Sequence, residues 1–437
     1  MANDKKILFQ TYFTSLLLLA FSLPFSMLSS IYPKPVHVVL QKLLNIQWNS
    51  LFVFLLIISW ILEGHWVQRF HKIKSSSIIY IFFAYYFLQV VGLWNTTHLA
   101  DGRHELLVKS TIIIFPLIFV STSHRLSKKQ YESILWTFCF AVMVASLFSF
   151  REGFTLKIDQ VSGIPVLQKL IILHRPYLGM YIVFVIFFLF SRLFKDSQQK
   201  QEKYIIPILM YLLVFLLVIQ SKMALMALFM TFLIIFSILL IDNRQYNFLI
   251  IFYALIFVLV FQNYPYLEKA LDRFTDISLV DSHMTNPGDD VNNQARKNIW
   301  NCVENILNEK NTWFTGFGTG DTQIELTECY EQKGFIYEYR NSLNAHNEFL
   351  QETLRHGIPG FLIFLLSLGI PLVLSIRKKD YFLLSFILII CFCSLTESIL
   401  SRQAGVVFYS FFNSLLIFKD QLFFVKPEIP NTDKLNT

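Results

Sequence analysis

The chain has 437 residues, of which 54% are hydrophobic and only 15% are charged, and its formal net charge is +7. So small a charged fraction excludes an ordinary soluble protein of this length, whose surface needs a charged coat. The Lys and Arg residues stand in short clusters between apolar runs, which is typical of membrane topology signals and argues against a nucleic-acid partner.

Long apolar runs predict an all-α polytopic membrane protein, because a helix needs about 20 apolar residues to cross a bilayer. About twelve transmembrane helices are predicted, at 8–29, 48–62, 76–94, 106–121, 132–150, 175–190, 204–220, 223–241, 247–262, 357–375, 381–397 and 404–418. The first is predicted to be an anchor, since no clear small-residue cleavage site follows it. The predicted domains are 1–262 with helices 1–9, a large loop at 263–356, helices 10–12 at 357–418 and a tail at 419–437.

The distribution of cations predicts the orientation. With the N-terminus in the cytoplasm, most Lys and Arg residues outside the large loop fall on the cytoplasmic side of the twelve spans. Both termini and the tail are therefore predicted to be cytoplasmic, and the loop between helices 9 and 10 is predicted to be extracytoplasmic.

The large loop carries helical signals of its own. Apolar residues recur at helical spacing within 293–310, a second amphipathic helix is predicted around 344–355, and the run at 285–293 is typical of a flexible loop. Cys302 and Cys329 both lie in this loop, where an oxidising compartment would permit a disulfide, but the sequence leaves their pairing open.

Two loop residues are candidates for chemistry. Arg296 extends the apolar stripe of the first loop helix, and its planar guanidinium suits a phosphate, a diphosphate or a carboxylate. The alternative is a snorkelling or salt-bridged structural Arg. His346 precedes the tenth predicted span and could act as a general base, although a hydrogen-bonded cap residue would fit the same position.

Two further cations are predicted at outer helix ends. Arg175 opens the sixth span ahead of Pro176, and the alternative there is an interfacial anchor. Lys222 lies in a tight hairpin, against the topology rule. The turn formed by Gly316, Gly318 and Gly320 lacks the Lys of a phosphate-binding loop, so it predicts close backbone packing between the loop helices.

No His, Cys, Asp or Glu grouping has metal-ligand spacing, since His98, His104 and His283 are scattered. The prediction is that the protein needs no metal and no cofactor. Several cations and one His on the outer face suit a lipid-linked diphosphate sugar, whose leaving group departs readily without a metal.

These residues, in this order, resemble the O-antigen ligase/polymerase superfamily of bacterial membrane glycosyltransferases. The resemblance covers roughly 170–375 and rests on an Arg-Pro pair, a Ser-cation hairpin, Arg-x-x-x-Trp, a glycine-rich turn, His-Asn-x-x-Leu and a Gly that opens the next span. The residues that carry these motifs are Arg175, Pro176, Ser221, Lys222, Arg296, Trp300, Gly316, Gly318, Gly320, His346, Asn347, Leu350 and Gly357.

The resemblance implies a metal-independent, inverting transfer of a glycan from undecaprenyl diphosphate to a sugar hydroxyl. It implies a site on the periplasmic side of the bacterial inner membrane. Carried over by motif, Arg175 and Arg296 bind the diphosphate and His346 orients or deprotonates the acceptor. Relatives often have an Arg at the position of Lys222. A Lys keeps the positive charge but loses the planar guanidinium that can form two parallel hydrogen bonds. Further binding candidates are Trp300, Asn347 and, more weakly, Arg402.

The sequence leaves several functions open. An O-antigen ligase, which attaches finished polymer to lipid A–core in lipopolysaccharide biosynthesis, fits the motifs most fully. A polysaccharide polymerase, extending a growing glycan on its carrier, and a protein O-glycosyltransferase share the donor chemistry. A twelve-helix transporter or flippase of lipid-linked oligosaccharide is the rival from another class. It is disfavoured because the two halves differ and few charges are predicted deep within the spans. A membrane scaffold would leave the outer cations unexplained.

Overall fold

The computed structural model describes residues 2–26, 47–152, 156–158, 165–167, 173–193, 202–219, 221–251, 253–254 and 289–423. Most of the predicted ninth span, the loop residues 263–288 with His283, and the tail beyond residue 423 lie outside these ranges. The described residues are helical, apart from an isolated bridge between Leu126 and Phe423 and a short antiparallel pair of strands that the sequence did not predict.

The helices before the strand pair are α1 to α7, with bounds Ala2–Ser22, Trp48–Leu62, Trp66–Ser75, Ile79–Val91, Leu99–Lys109, Thr111–Ser121 and Lys128–Glu152. Strands β1 and β2 are Leu156–Ile158 and Pro165–Leu167. The helices α8 to α13 are Arg175–Leu193, Ile205–Ile219, Lys222–Asp242, Asp289–Glu309, Thr322–Gln332 and Ile336–Arg340. The last four, α14 to α17, are Glu348–Arg377, Tyr381–Ser394, Gln403–Ile417 and Lys419–Leu422. Short 3-10 turns lie at Leu23–Phe25, Gly92–Asn95, Glu202–Tyr204 and Ile399–Ser401.

The chain is a multi-pass membrane protein. By length and composition, six of the described helices could cross a membrane, or seven if α2 and α3, which meet at a bend of 113°, form one span. Four described helices are apolar but shorter. The count of twelve spans therefore stays a prediction.

Helix α8 lies at the centre of the bundle. Its residues from Tyr177 to Leu189 are buried without interruption, so it has no polar face and must be surrounded by other helices. The ring of Phe184 packs against Phe382 and Phe386 of α15 and Phe408 and Phe412 of α16, with centroid separations between 4.6 and 5.5 Å. Helices α7, α9 and α10 pack on its other sides.

Helix α14 is broken after two turns. Gly357 has φ of +63°, a conformation that favours glycine, and it interrupts the helical hydrogen bonds. The glycine-rich turn compensates, because the backbone N–H groups of Phe317 and Gly318 donate to the carbonyls of Leu354 and Arg355. The predicted close packing on the loop helices is confirmed at Gly316, which lies against the backbone of Arg355 at the end of the second of them. Its glycines approach the break in α14 and the residues that connect α4 to α5.

Candidate functional site

Glu397, in the connection between α15 and α16, is the carboxylate around which the candidate site is built. Its Oε2 atom lies 3.2 Å from Nδ1 of His346, and its side chain is only 8% exposed, compared with 23% for His346. Burial raises the pKa of the Glu397 carboxyl, but the hydrogen bond with His346 and the charges of His346, His174 and Arg296 outweigh burial and hold the pKa below its usual value. The carboxylate is therefore ionised at neutral pH and holds the His346 ring in place.

The chain fixes His346 from both sides. Its φ is +43°, in the left-handed region, and its backbone N–H donates to Oδ1 of Asn344 at 3.1 Å. Asn347 caps the start of α14 by accepting from the N–H of Leu350, and its Nδ2 donates to the carbonyl of Leu395, at 3.1 Å in each case. The cap of α14 and the connection after α15 are thus joined through two side chains, His346 and Asn347.

Helix α11 brings Arg296 and Trp300 to the same place. The Nη2 atom of Arg296 lies 3.4 Å from the carbonyl of Thr396, beside Glu397. Burial lowers the pKa of Arg296, and the charge of Glu397 acts in the opposite direction. Nε1 of Trp300 donates to the carbonyl of Ala345 at 3.1 Å. The ring of Trp300 is 39% exposed, so it is not part of the buried stripe of α11 in which the sequence placed it.

The start of α8 completes the group. His174 lies at the surface, and its partial burial lowers its pKa. The charge of Glu397 raises this pKa, whereas the charges of Arg402, His346 and Arg175 lower it further. Arg175 and Arg402 are therefore close enough to the His346 region to act on it electrostatically. The Arg402 side chain is exposed and makes no ion pair with the described residues.

Lys222 lies beside the first turn of α8. It begins α10 directly after Ser221, and Gly179 of α8 packs so closely on Ser221 that a Cβ there would lie 2.8 Å from its Oγ. The structure thus brings Arg296 and His346 to Glu397, with Arg175 and Arg402 near the neighbouring His174. It places Lys222 at the same end of the bundle.

A buried charged network lies under this site, and the sequence did not predict it. Glu352 of α14, with no exposed surface, has its Oε1 atom 2.8 Å from Nζ of Lys109 and 2.8 Å from Nη1 of Arg355. Tyr85 and Gln89 of α4 donate to the same carboxylate, each at 2.9 Å. Of the charged residues in this network only Lys109 lies within a predicted span, near its start, so the expectation of few charges deep within the spans stays a prediction.

The network also holds the connection that carries Glu397. The N–H of Leu400 donates to Oε2 of Glu348 at 2.6 Å, and Nη2 of Arg355 donates to Oγ of Ser401 at 3.1 Å. The first two turns of α14 therefore position His346 through the Asn347 cap, and Glu397 through Leu400 and Ser401.

Glu397 and His174 are the site residues that sequence reasoning missed. The one available signal was an acidic residue in a short connection between apolar helices, shared with Arg402. Within the described ranges, no group of three His, Cys, Asp or Glu side chains is arranged to hold a metal ion.

Helices α11 and α12 are joined by a disulfide. Cys302 and Cys329, whose pairing the sequence left open, are bonded, with their Cα atoms 5.9 Å apart. Ile299, Leu307 and Tyr330 pack around the bond in a small core of their own. This core fixes the helix on which Arg296 and Trp300 stand.

Residues 207–365 match the family model described as Wzy_C, O-antigen ligase. The chain carries a domain of the O-antigen ligase-like superfamily. The predicted resemblance is thereby confirmed, and the match supports a membrane enzyme of the O-antigen ligase/polymerase type. The matched segment holds Lys222, Arg296, Trp300, His346 and Asn347, and the rest of the site comes from residues on either side of it. No curated protein matches the chain at a significant level of similarity.

Proposed function

We propose that the protein is an O-antigen ligase, which transfers a glycan from undecaprenyl diphosphate to a sugar hydroxyl of lipid A–core. The placement of Arg296 and His346 beside the buried Glu397, with the exposed Arg402 near the same His174 on which Glu397 acts, is the observation that carries this proposal. A departing diphosphate develops negative charge that guanidinium groups neutralise. A His that hydrogen-bonds a carboxylate is suited to accept a proton from an alcohol.

In the proposed reaction, Nδ1 of His346 donates to Glu397, which leaves Nε2 to take the proton of the acceptor hydroxyl. The acceptor oxygen forms a bond to the anomeric carbon on the face opposite the diphosphate. The bond from that carbon to the diphosphate oxygen breaks, and its electron pair stays on the oxygen. A single displacement of this kind inverts the anomeric centre.

The cations are proposed to take the place that a metal has in many phosphate sites. Arg175 and Arg296 bind the diphosphate, with Lys222 and Arg402 beside them. Trp300 and Asn347 shape the glycan side of the site, since Trp300 is exposed next to His346 and Asn347 forms the cap that follows it. No cofactor has a role in this proposal.

The distribution of Lys and Arg along the chain supports an orientation. The end opposite the candidate site carries Arg192, Lys378, Lys379 and Lys419, each paired with an acidic side chain. The positive-inside rule favours the cytoplasm for that end, with both termini, and the periplasm for the site. A disulfide between Cys302 and Cys329 fits an oxidising compartment.

The test is a gel of surface lipopolysaccharide from a strain that lacks the gene, together with extraction of its undecaprenyl-linked glycans. Long polymer stranded on the carrier, with bare lipid A–core, is the expected result. Core that carries a single repeat, without stranded polymer, would instead identify a polymerase. Bare lipid A–core without stranded long polymer, together with lipid-linked oligosaccharide held on the cytoplasmic face, would identify a flippase.

A further inference from the structure

A large apolar cavity lies between α7, α8, α10 and α15. Its volume is about 710 Å³, and Phe187, Phe188, Phe232 and Phe382 line most of its wall. An apolar cavity of about 150 Å³ accommodates a benzene molecule and excludes water. The cavity is therefore large enough for an extended alkyl chain.

The cavity is separate from the candidate site. It is lined by the last turns of α8 and α10, whereas Arg175 and Lys222 stand on the first turns of the same helices. The rise of an α-helix places these two ends of α8 roughly 20 Å apart. A ligand in this cavity would not contact His346 or Glu397.

Charged residues surround the mouth of the cavity, and one of them has no partner of opposite charge among the described residues. Arg192 pairs with Glu132 at 2.7 Å, and Lys419 pairs with Asp380. Lys128, at the start of α7, is exposed and forms no ion pair with any residue in the described part of the chain. The mouth therefore has an excess of one positive charge beside an apolar interior.

We propose that this cavity binds a glycerophospholipid of the surrounding bilayer, with an acyl chain between the Phe side chains and the phosphate beside Lys128. An apolar interior next to a single uncompensated cation matches the two chemical parts of such a lipid. The bilayer around a multi-pass protein supplies this ligand at high concentration. The cavity lies at the end of the bundle rich in cations, where anionic headgroups are favoured.

The test measures lipid binding with purified protein in detergent. The full chain is delipidated, mixed with palmitoyl-oleoyl-phosphatidylglycerol and examined by native mass spectrometry and thermal unfolding. The native protein is expected to retain one lipid molecule. Ser385→Phe, whose larger side chain fills the cavity, is expected to lower the affinity for this lipid at least tenfold. Lys128→Gln is expected to weaken binding several-fold. Ser237→Phe on α10 and Lys129→Gln, neither of which lines the cavity, serve as matched controls.

Equal lipid retention by the native chain, Ser385→Phe and Lys128→Gln would overturn the proposal. Preferential retention of a polyprenyl phosphate over the phospholipid would overturn it as well. Ser385→Ala separates a folding defect from cavity filling, because it keeps the space open and should retain the lipid. If Ser385→Phe fails to fold, Ser191→Phe blocks the same cavity from α8. None of these changes touches the proposed transfer site, so the outcome is independent of the reaction.

Discussion

Nδ1 of His346 lies 3.2 Å from Oε2 of Glu397, although 51 residues separate the two along the chain. One residue comes from the cap of α14 and the other from the connection after α15. The contact therefore depends on how these two helices pack, and it links the predicted His to a carboxylate that orients it.

Replacing Glu397 with Gln is expected to lower the transfer rate by about tenfold to a thousandfold, because an oriented general base contributes roughly 10²–10⁴. The substitution keeps the shape of the side chain and removes its charge. The rate is measured with lipid-linked donor and purified acceptor in detergent. Glu331→Gln, at an exposed position near the end of α12, is the control. An undiminished rate in Glu397→Gln would remove the carboxylate from the mechanism.

Arg296→Lys is expected to raise KM for the lipid-linked donor by about tenfold, and Arg296→Ala by about a hundredfold. A Lys keeps the charge but loses the planar fork, and hydrogen bonds to charged groups are worth about 1.5–3 kcal/mol each. Donor saturation curves measure the change, with Lys297→Ala as the adjacent control. Arg296→Ala with an unaltered donor KM would instead indicate a structural role, in which Arg296 only donates to the carbonyl of Thr396.

Breaking the charged network under the site is expected to destabilise the protein. Lys109→Met leaves Glu352 without one of its two cationic partners, and loss of a buried partner costs about 3–5 kcal/mol. Thermal unfolding of Lys109→Met, Glu352→Met and the double variant measures the coupling. The double variant should lose less stability than the two single variants lose in total. Strict additivity would show that the two charges act independently.

Asp321 predicts a dependence of stability on pH. It accepts hydrogen bonds from the backbone N–H groups of Thr97 and His98, at 2.6 and 2.9 Å. Burial raises the pKa of Asp321, but these bonds outweigh burial and lower it below the usual value. The pKa of Asp321 is lower in the folded protein than in the unfolded chain, where it is about 3.9, so its ionised carboxylate stabilises the fold above that pH. This stabilisation is lost as the pH falls through the pKa of the folded state.

Asp321→Asn is accordingly expected to lower the free energy of unfolding by about 1–3 kcal/mol at pH 7. Its deficit relative to the native chain should shrink as the pH falls below 4. Melting curves between pH 3 and pH 7 measure both. A constant deficit over this range would show that the charge of Asp321 contributes nothing.

The sequence predicted the parts of the site that local pattern encodes. Arg296 was a candidate because it extends the apolar stripe of the first loop helix, and Asn347 because it stands in the His-Asn-x-x-Leu motif; their roles stay predictions. Glu397 gave no periodic signal, since it lies in a short connection, and its partner is distant in sequence. Contacts of that kind are decided by packing between helices.

The charged network escaped prediction for the same reason. Lys109 and Glu352 are separated by 243 residues; Lys109 lies near the start of one apolar run and Glu352 in a polar segment ahead of another, so neither indicates the other. The helical class was predictable from composition, because lipid-exposed backbone must satisfy its hydrogen bonds within each helix. The β1–β2 pair could not be predicted, as three-residue strands carry too little alternation.

The break in α14 has a mechanical consequence for how substrates reach the site. Three backbone hydrogen bonds, from Phe317 to Leu354, from Gly318 to Arg355 and from Ile358 to Trp313, fasten the segment after α11 across the gap at Gly357. A swing of that segment about Gly357 would break all three at once. These hydrogen bonds therefore hold the backbone at Gly357 in one conformation, and Gly357 does not act as a hinge. If the proposed lipid-linked donor binds here, these hydrogen bonds would keep the backbone beside the site fixed while it enters.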